Sequence, residues 1–76
     1  MQVQVRLYAN FRHGRFNEQL REYPPGTTIR HVLAELTIPV PELGTVFVDH
    51  KVATLTLDRE LHEGAKLGIF PLVGGG

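Results

Sequence analysis

The spacing of prolines leaves this chain room for a single helix, and a single helix can cover only one face of a sheet. YPPGTT (residues 23 to 28) interrupts any strand before it, because proline and glycine break regular pairing, and a threonine within it can cap the free N–H groups of a following turn. Ile29, Val32, Leu33 and Leu36 then fall at i, i+3, i+4 and i+7, the apolar stripe of an amphipathic helix. Pro39 and Pro41 cannot continue it, so the pattern predicts an end near Thr37.

On either side of that helix the apolar residues recur every second position instead. Val3, Val5 and Leu7 alternate with Gln2, Gln4, Arg6 and Tyr8, the period of a half-buried strand, and Tyr8 falls on the polar side. A loop over Asn10 to Arg15, carrying Gly14, leads into a second strand over about Phe16 to Tyr23. After the helix come TVFV (45 to 48), a DHK turn (49 to 51), a short turn LDREL (57 to 61) and a last strand KLGIF (66 to 70). Leu67 and Ile69 share one side of that strand, which turns Gly68 and Phe70 to the other.

The order strand, strand, helix, strand, short strand, strand predicts an α+β fold of the β-grasp (ubiquitin-like) type. It has a mixed sheet of four to five strands, one main helix packed on one face, and the first and last strands parallel at the centre. The domain is expected over residues 1–71, with 72–76 a flexible tail ending in Gly-Gly-Gly. Tyr8 and Phe70 lie on the uncovered face by parity, and Leu61, in the turn before the last strand, is placed with them. Periodicity leaves two readings open. Three such residues can anchor an interface, since burying each contributes about 1.5–3 kcal/mol, or they are the scattered apolar surface normal to any small domain.

Composition narrows the chemistry. Eight basic and eight acidic residues cancel to a formal charge of zero, which leaves no electrostatic footprint for nucleic acid or an anionic membrane. Cysteine is absent, so there are no disulfides, thiolate metal sites or cysteine nucleophile. No stretch approaches the roughly 18 apolar residues of a membrane span, and MQVQVRLYANFR lacks the apolar segment of a signal peptide, so a cytoplasmic protein is expected. His13, His31, His50 and His62 are scattered, with no i, i+4 pair, and no metal site is expected. Asp58, Glu60 and Glu63 sit in an exposed turn and read as solvated surface. With no phosphate-loop motif, no nucleophile elbow and no serine, the chain supplies no catalytic apparatus and calls for no bound cofactor.

What remains distinctive is FPLVGGG, residues 70 to 76. Extended at about 3.3–3.6 Å per residue, Leu72 to Gly76 can carry a terminal carboxylate about 17 Å from the domain. Glycine has no side chain to obstruct a narrow channel and adopts whatever backbone conformation a partner imposes. The segment has the shape of an arm.

Together, YAxxR (Tyr8 to Arg12), PGTTIxxVLxxL (25 to 36), LxEG (61 to 64) and IFPLVGGG (69 to 76) resemble the MoaD/ThiS family of ubiquitin-like sulfur carriers over almost the whole chain. The resemblance implies that an E1-like adenylyltransferase uses ATP to adenylate the carboxylate of Gly76, which a sulfur donor then converts to a thiocarboxylate. It implies that Gly74 and Gly75 give clearance in the partner's channel. It further implies that Tyr8, Leu61, Phe70 and Arg12 dock the activating enzyme or the large subunit of molybdopterin synthase, or an equivalent sulfur acceptor. Two positions depart from the family pattern: Ala65 follows Gly64 where Gly-Asp is common, and Asp49 stands where asparagine is common. The short V-N-G-E opening of the thiamine branch is absent, which favours the molybdopterin branch. A ubiquitin-like modifier joined to lysines through Gly76 remains the alternative fate of the same activated tail.

Overall fold

Thr28 opens the helix as its sequence context predicts. In the computed structural model, which describes residues 1–72, α1 (Ile29–Glu35) begins where the His31 N–H donates to Thr28 Oγ1 at 3.2 Å and the Thr28 N–H donates to His31 Nδ1 at 3.0 Å. This reciprocal capping box has histidine in the place usually held by glutamate or glutamine, with the imidazole nitrogen as acceptor. The next two N–H groups find loop carbonyls, Ile29 donating to Arg59 O at 3.3 Å and Arg30 to Leu57 O at 2.8 Å. At the other end Thr37 takes φ +58. The Arg15 guanidinium donates to the carbonyls of Leu36 (2.8 Å), Thr37 (3.2 Å) and Phe11 (3.1 Å), so helix-end acceptors are paired with a cation.

The strands are β1 (Gln2–Leu7), β2 (Glu18–Glu22), β3 (Leu43–Val48), β4 (Lys51–Val52) and β5 (Ala65–Pro71), with 3-10 turns at Ala9–Arg12 and Val40–Glu42. They form one sheet in the order β2-β1-β5-β3-β4. β1 and β5 run parallel at its centre, and every other pairing is antiparallel. This is the expected β-grasp arrangement. β2 begins two residues later than Phe16, which packs partly buried against the core instead. β3 begins earlier than expected, at Leu43. Asp49 and His50 both take positive φ, 52 and 68, the geometry of a tight hairpin turn whose backbone twist suits the flanking strands.

Val3, Val5, Leu7, Leu67, Ile69, Val46 and Val48 face Ile29, Val32 and Leu33, all essentially inaccessible to water. Leu61 belongs to this core. Expected on the open face, it is only 5% exposed and lies on the helix side. The cause is the backbone: the Leu61 N–H donates to Thr27 O at 2.8 Å, and Thr28 bridges to Glu60. The segment is thereby drawn against the helix entry, and Leu57 and Leu61 turn inward.

Candidate functional site

The uncovered face is built by strand parity. Cross-strand register sets Arg6 beside Gly68, Gly68 beside Phe47, and Phe70 beside Thr45. Tyr8 follows β1 and is fixed by its own backbone, its N–H donating to Ile69 O at 3.2 Å and its carbonyl accepting from Phe11 N at 3.2 Å. Its ring stacks on Phe70 with centroids 3.8 Å apart and planes 9° from parallel. Phe47 meets Phe70 edge-on at 5.7 Å and 76°. Offset stacks and edge contacts of this kind each contribute about 0.5–1.5 kcal/mol beyond the area they cover.

Cations flank the aromatic cluster. The guanidinium of Arg6 lies 5.1 Å from the Tyr8 ring centroid and that of Arg12 lies 5.9 Å away, both in cation–π range. Arg12 is also tied inward, its Nε donating to Leu7 O at 3.0 Å. Gly68 floors a concavity of about 400 Å³ walled by Tyr8, Phe47 and Phe70, with Arg6, His50 and Lys66 at its edge. A side chain at Gly68 would meet Tyr8 Cε2 at 3.6 Å and Phe47 Cβ at 3.8 Å, so glycine leaves this hollow open.

Asp49 secures one border of the face. Its Oδ1 accepts from the Lys66 N–H at 2.9 Å and its Oδ2 lies 2.8 Å from His62 Nε2. The Lys66 N–H, followed by the neighbouring imidazole, holds the Asp49 carboxyl below its ordinary pKa. On the helix side, the Tyr23 hydroxyl donates to Glu35 Oε1 at 2.7 Å and accepts from Arg21 Nε at 2.9 Å. Burial pushes that phenol up to about 12.

At the far border the chain leaves the sheet beside Gly44. The register shifts there: Leu43 pairs with Pro71 and Thr45 with Phe70, so Gly44 is an extra residue on β3. Beyond it the Leu72 N–H donates to Glu42 O at 2.8 Å. Gly74, Gly75 and Gly76 lie outside the described residues.

The structure thus brings Tyr8 and Phe70 together with Arg12 beside them, and places Leu61 elsewhere. Sequence reasoning passed over Phe47, although its alternation with Val46 and Val48 puts it on the Phe70 side, and over Arg6, which shares the polar parity of Tyr8. Among the described residues no cluster of His, Cys, Asp and Glu is arranged to hold a metal ion, and no helix is long and apolar enough to cross a membrane.

Comparison with known proteins agrees with this fold. The model of the ThiS family matches residues 5–76. A putative molybdopterin converting factor subunit 1 from Pyrococcus furiosus superposes with a TM-score of 0.74 at 23% identity, covering 96% of this chain and 99% of that one. A Haloferax volcanii protein solved in solution gives 0.78 at 21% identity, covering 100% and 87%. The small archaeal modifier protein 1 of H. volcanii gives 0.72 at 17% identity, covering 95% and 98%. No curated protein sequence matches the chain.

Proposed function

The chain belongs to the ThiS family of ubiquitin-like sulfur carriers, and from that premise we propose that Gly76 is its working residue, serving molybdenum- or tungsten-cofactor biosynthesis. A carboxylate is a poor electrophile. An oxygen of Gly76 attacks the α-phosphorus of ATP on an E1-like adenylyltransferase, and pyrophosphate leaves. Hydrosulfide from a sulfur donor then attacks the acyl carbon; the bond to AMP breaks, AMP leaves, a C–S bond forms, and loss of the thiol proton gives the thiocarboxylate. The domain's part is to be held while the partner's groups do this chemistry. The large subunit of a molybdopterin synthase, or an equivalent acceptor, then takes the sulfur.

The observation that carries this reading is the Tyr8–Phe70 stack with Phe47 at its edge, presented on the face opposite the helix. Phe70 lies two residues before Leu72, so a partner gripping this cluster is close to where the chain departs. Flat aromatic surface with flanking arginines is the composition of an interface anchor. The likeness to a putative molybdopterin converting factor subunit 1 supports the pterin branch.

Incubation with the activating enzyme, ATP and a sulfur donor is expected to raise the intact mass by the difference between a sulfur and an oxygen atom, located to the C-terminal peptide. Deleting Gly76 is expected to abolish the change while the domain still folds and docks. An unchanged mass with cognate enzyme and donor overturns the proposal. The likeness to a small archaeal modifier supports a second reading, an isopeptide bond from Gly76 to lysines of other proteins. Tagged protein in cells then forms a ladder that survives denaturation, whereas a carrier alone stays a single band.

A further inference from the structure

Gly68 lies in the middle of β5, with β1 parallel on one side and β3 antiparallel on the other, and nothing in its own backbone calls for glycine. Its conformation is not left-handed. A Cβ there would meet Tyr8 Cε2 at 3.6 Å and Phe47 Cβ at 3.8 Å, ordinary contact distances with no main chain in the way. Glycine inside a strand loses more entropy on folding than alanine and packs nothing, so it weakens the sheet at its centre. The fold has room for a side chain at this position and would gain from one. What glycine provides there is the hollow above it.

The walls of that hollow hold one another: Tyr8 stacks on Phe70, and Phe47 meets Phe70 edge-on. Its shape is therefore set by the fold before any partner arrives. Apolar surface continues across the same sheet face to both edges, since Leu20 pairs with Gln4 and Val52 with Phe47, and these two side chains are 64% and 68% exposed. Charge on the face is one-sided. Arg6, Arg12 and Lys66 stand around the aromatic rings, whereas the carboxylates near them are engaged. Glu18 lies 3.8 Å from Arg6 and accepts from Gln4 Nε2 at 3.0 Å, and Asp49 is taken up by the Lys66 N–H and His62. In a chain whose formal charges cancel, this face keeps an excess of cation.

We propose that the hollow over Gly68 receives one apolar side chain projecting from an acidic loop of the adenylyltransferase, whose carboxylates pair with Arg6, Arg12 and Lys66. This rests on the reading of the Tyr8–Phe70 face as a docking surface, and adds what the docked enzyme must present: at this point the carrier supplies the hole and the enzyme the knob. The charge excess selects this occupant. A second copy of the chain, related by a two-fold axis, would set the same cations against one another. A small ligand would call for convergent polar groups inside the hollow, and the polar groups here stand at its edge. Gly68 is thus a specificity-determining residue, because any side chain it carried would take the space meant for the knob.

The test compares Gly68→Ala, Gly68→Val and Arg6→Glu with the unsubstituted protein in thermal denaturation, in sedimentation, and in equilibrium binding to the E1-like adenylyltransferase at two salt concentrations. Both Gly68 variants are expected to melt no lower than the unsubstituted protein. Their affinity is expected to fall with the bulk added, about threefold for alanine and about tenfold or more for valine. Arg6→Glu is expected to weaken binding and to flatten its dependence on salt. Gly68→Ala keeps the test valid should Gly68→Val fold poorly. Undiminished affinity in a folded Gly68 variant, a marked fall in the melting temperature of Gly68→Ala, or salt-independent binding of the unsubstituted protein overturns the proposal. A dimer of the free protein that Gly68→Val dissociates also overturns it, in favour of a second copy. No binding even by the unsubstituted protein instead overturns the docking reading on which the proposal rests.

Discussion

Truncating Phe70 to alanine separates an interface anchor from a core residue, because the two roles differ in what the free protein loses. Phe70 makes one stacked contact with Tyr8 at 3.8 Å and one edge contact with Phe47 at 5.7 Å. It lies outside the buried cluster that includes Leu67 and Ile69 on the same strand. Each aromatic pair contributes about 0.5–1.5 kcal/mol, and the lower half applies to rings that keep one side in water. The loss of stability is then about 1–2 kcal/mol, a fall in Tm of about 5–15 °C for a domain of this size. A buried phenylalanine costs about 3–5 kcal/mol on truncation, much of the 5–15 kcal/mol that holds a typical domain together. Binding is expected to suffer more: loss of an anchor costs about 2 kcal/mol or more, roughly thirtyfold in Kd. Thermal denaturation of the variant alone, followed by calorimetric titration with the activating enzyme, reads both numbers. A stability loss above about 3 kcal/mol, or an unchanged Kd, refutes the assignment of Phe70 to the docking face.

The reverse pattern is expected of Leu61→Ala, since a 5% exposed core leucine costs about 2–5 kcal/mol to truncate while the Tyr8–Phe70 face is untouched. Chemical denaturation shows the loss, and unchanged affinity in the remaining folded fraction confirms that Leu61 is no contact residue. Tyr23 predicts an alkaline limit: its pKa rises from 10.0 to about 12 on folding, so the folded state holds the proton longer. Its contribution to stability is therefore complete below about pH 10 and is lost as pH climbs through about 12. Ultraviolet titration should show one tyrosine ionising near 12 in the folded protein, and Tyr23→Phe should remove both that step and this part of the pH dependence.

How much of this was legible in the sequence depended on whether a residue sat in a periodic element. The alternation of Val3, Val5 and Leu7 located β1 and its faces, and the same parity carried to Lys66–Phe70 placed Tyr8 and Phe70 together on the open side. The helix was legible from its proline boundaries and the Thr28 cap. Leu61 was not, because residues 53 to 64 are mostly irregular and their facing is set by long-range backbone bonds such as Leu61 to Thr27. Parity carries no information across such a segment. Arg12 matched a family position, yet no local pattern predicts that its Nε donates to Leu7 O. Gly44 left a readable trace, since an isolated glycine at a strand margin is a common sign of a bulge or of close backbone approach. What it accommodates is visible only once Pro71 and Leu72 are beside it.

The parallel pairing of β1 with β5 joins the earliest-synthesised strand to the last, with Val3 against Ala65 and Leu7 against Ile69. A ribosome must therefore release the chain as far as Pro71 before the sheet can close, and until then Tyr8 has no Phe70 to stack upon. A nascent chain still short of Phe70 has no stacked aromatic face to present. Closing the centre of the sheet and completing that face are thus one event, reached only when the last strand has been made.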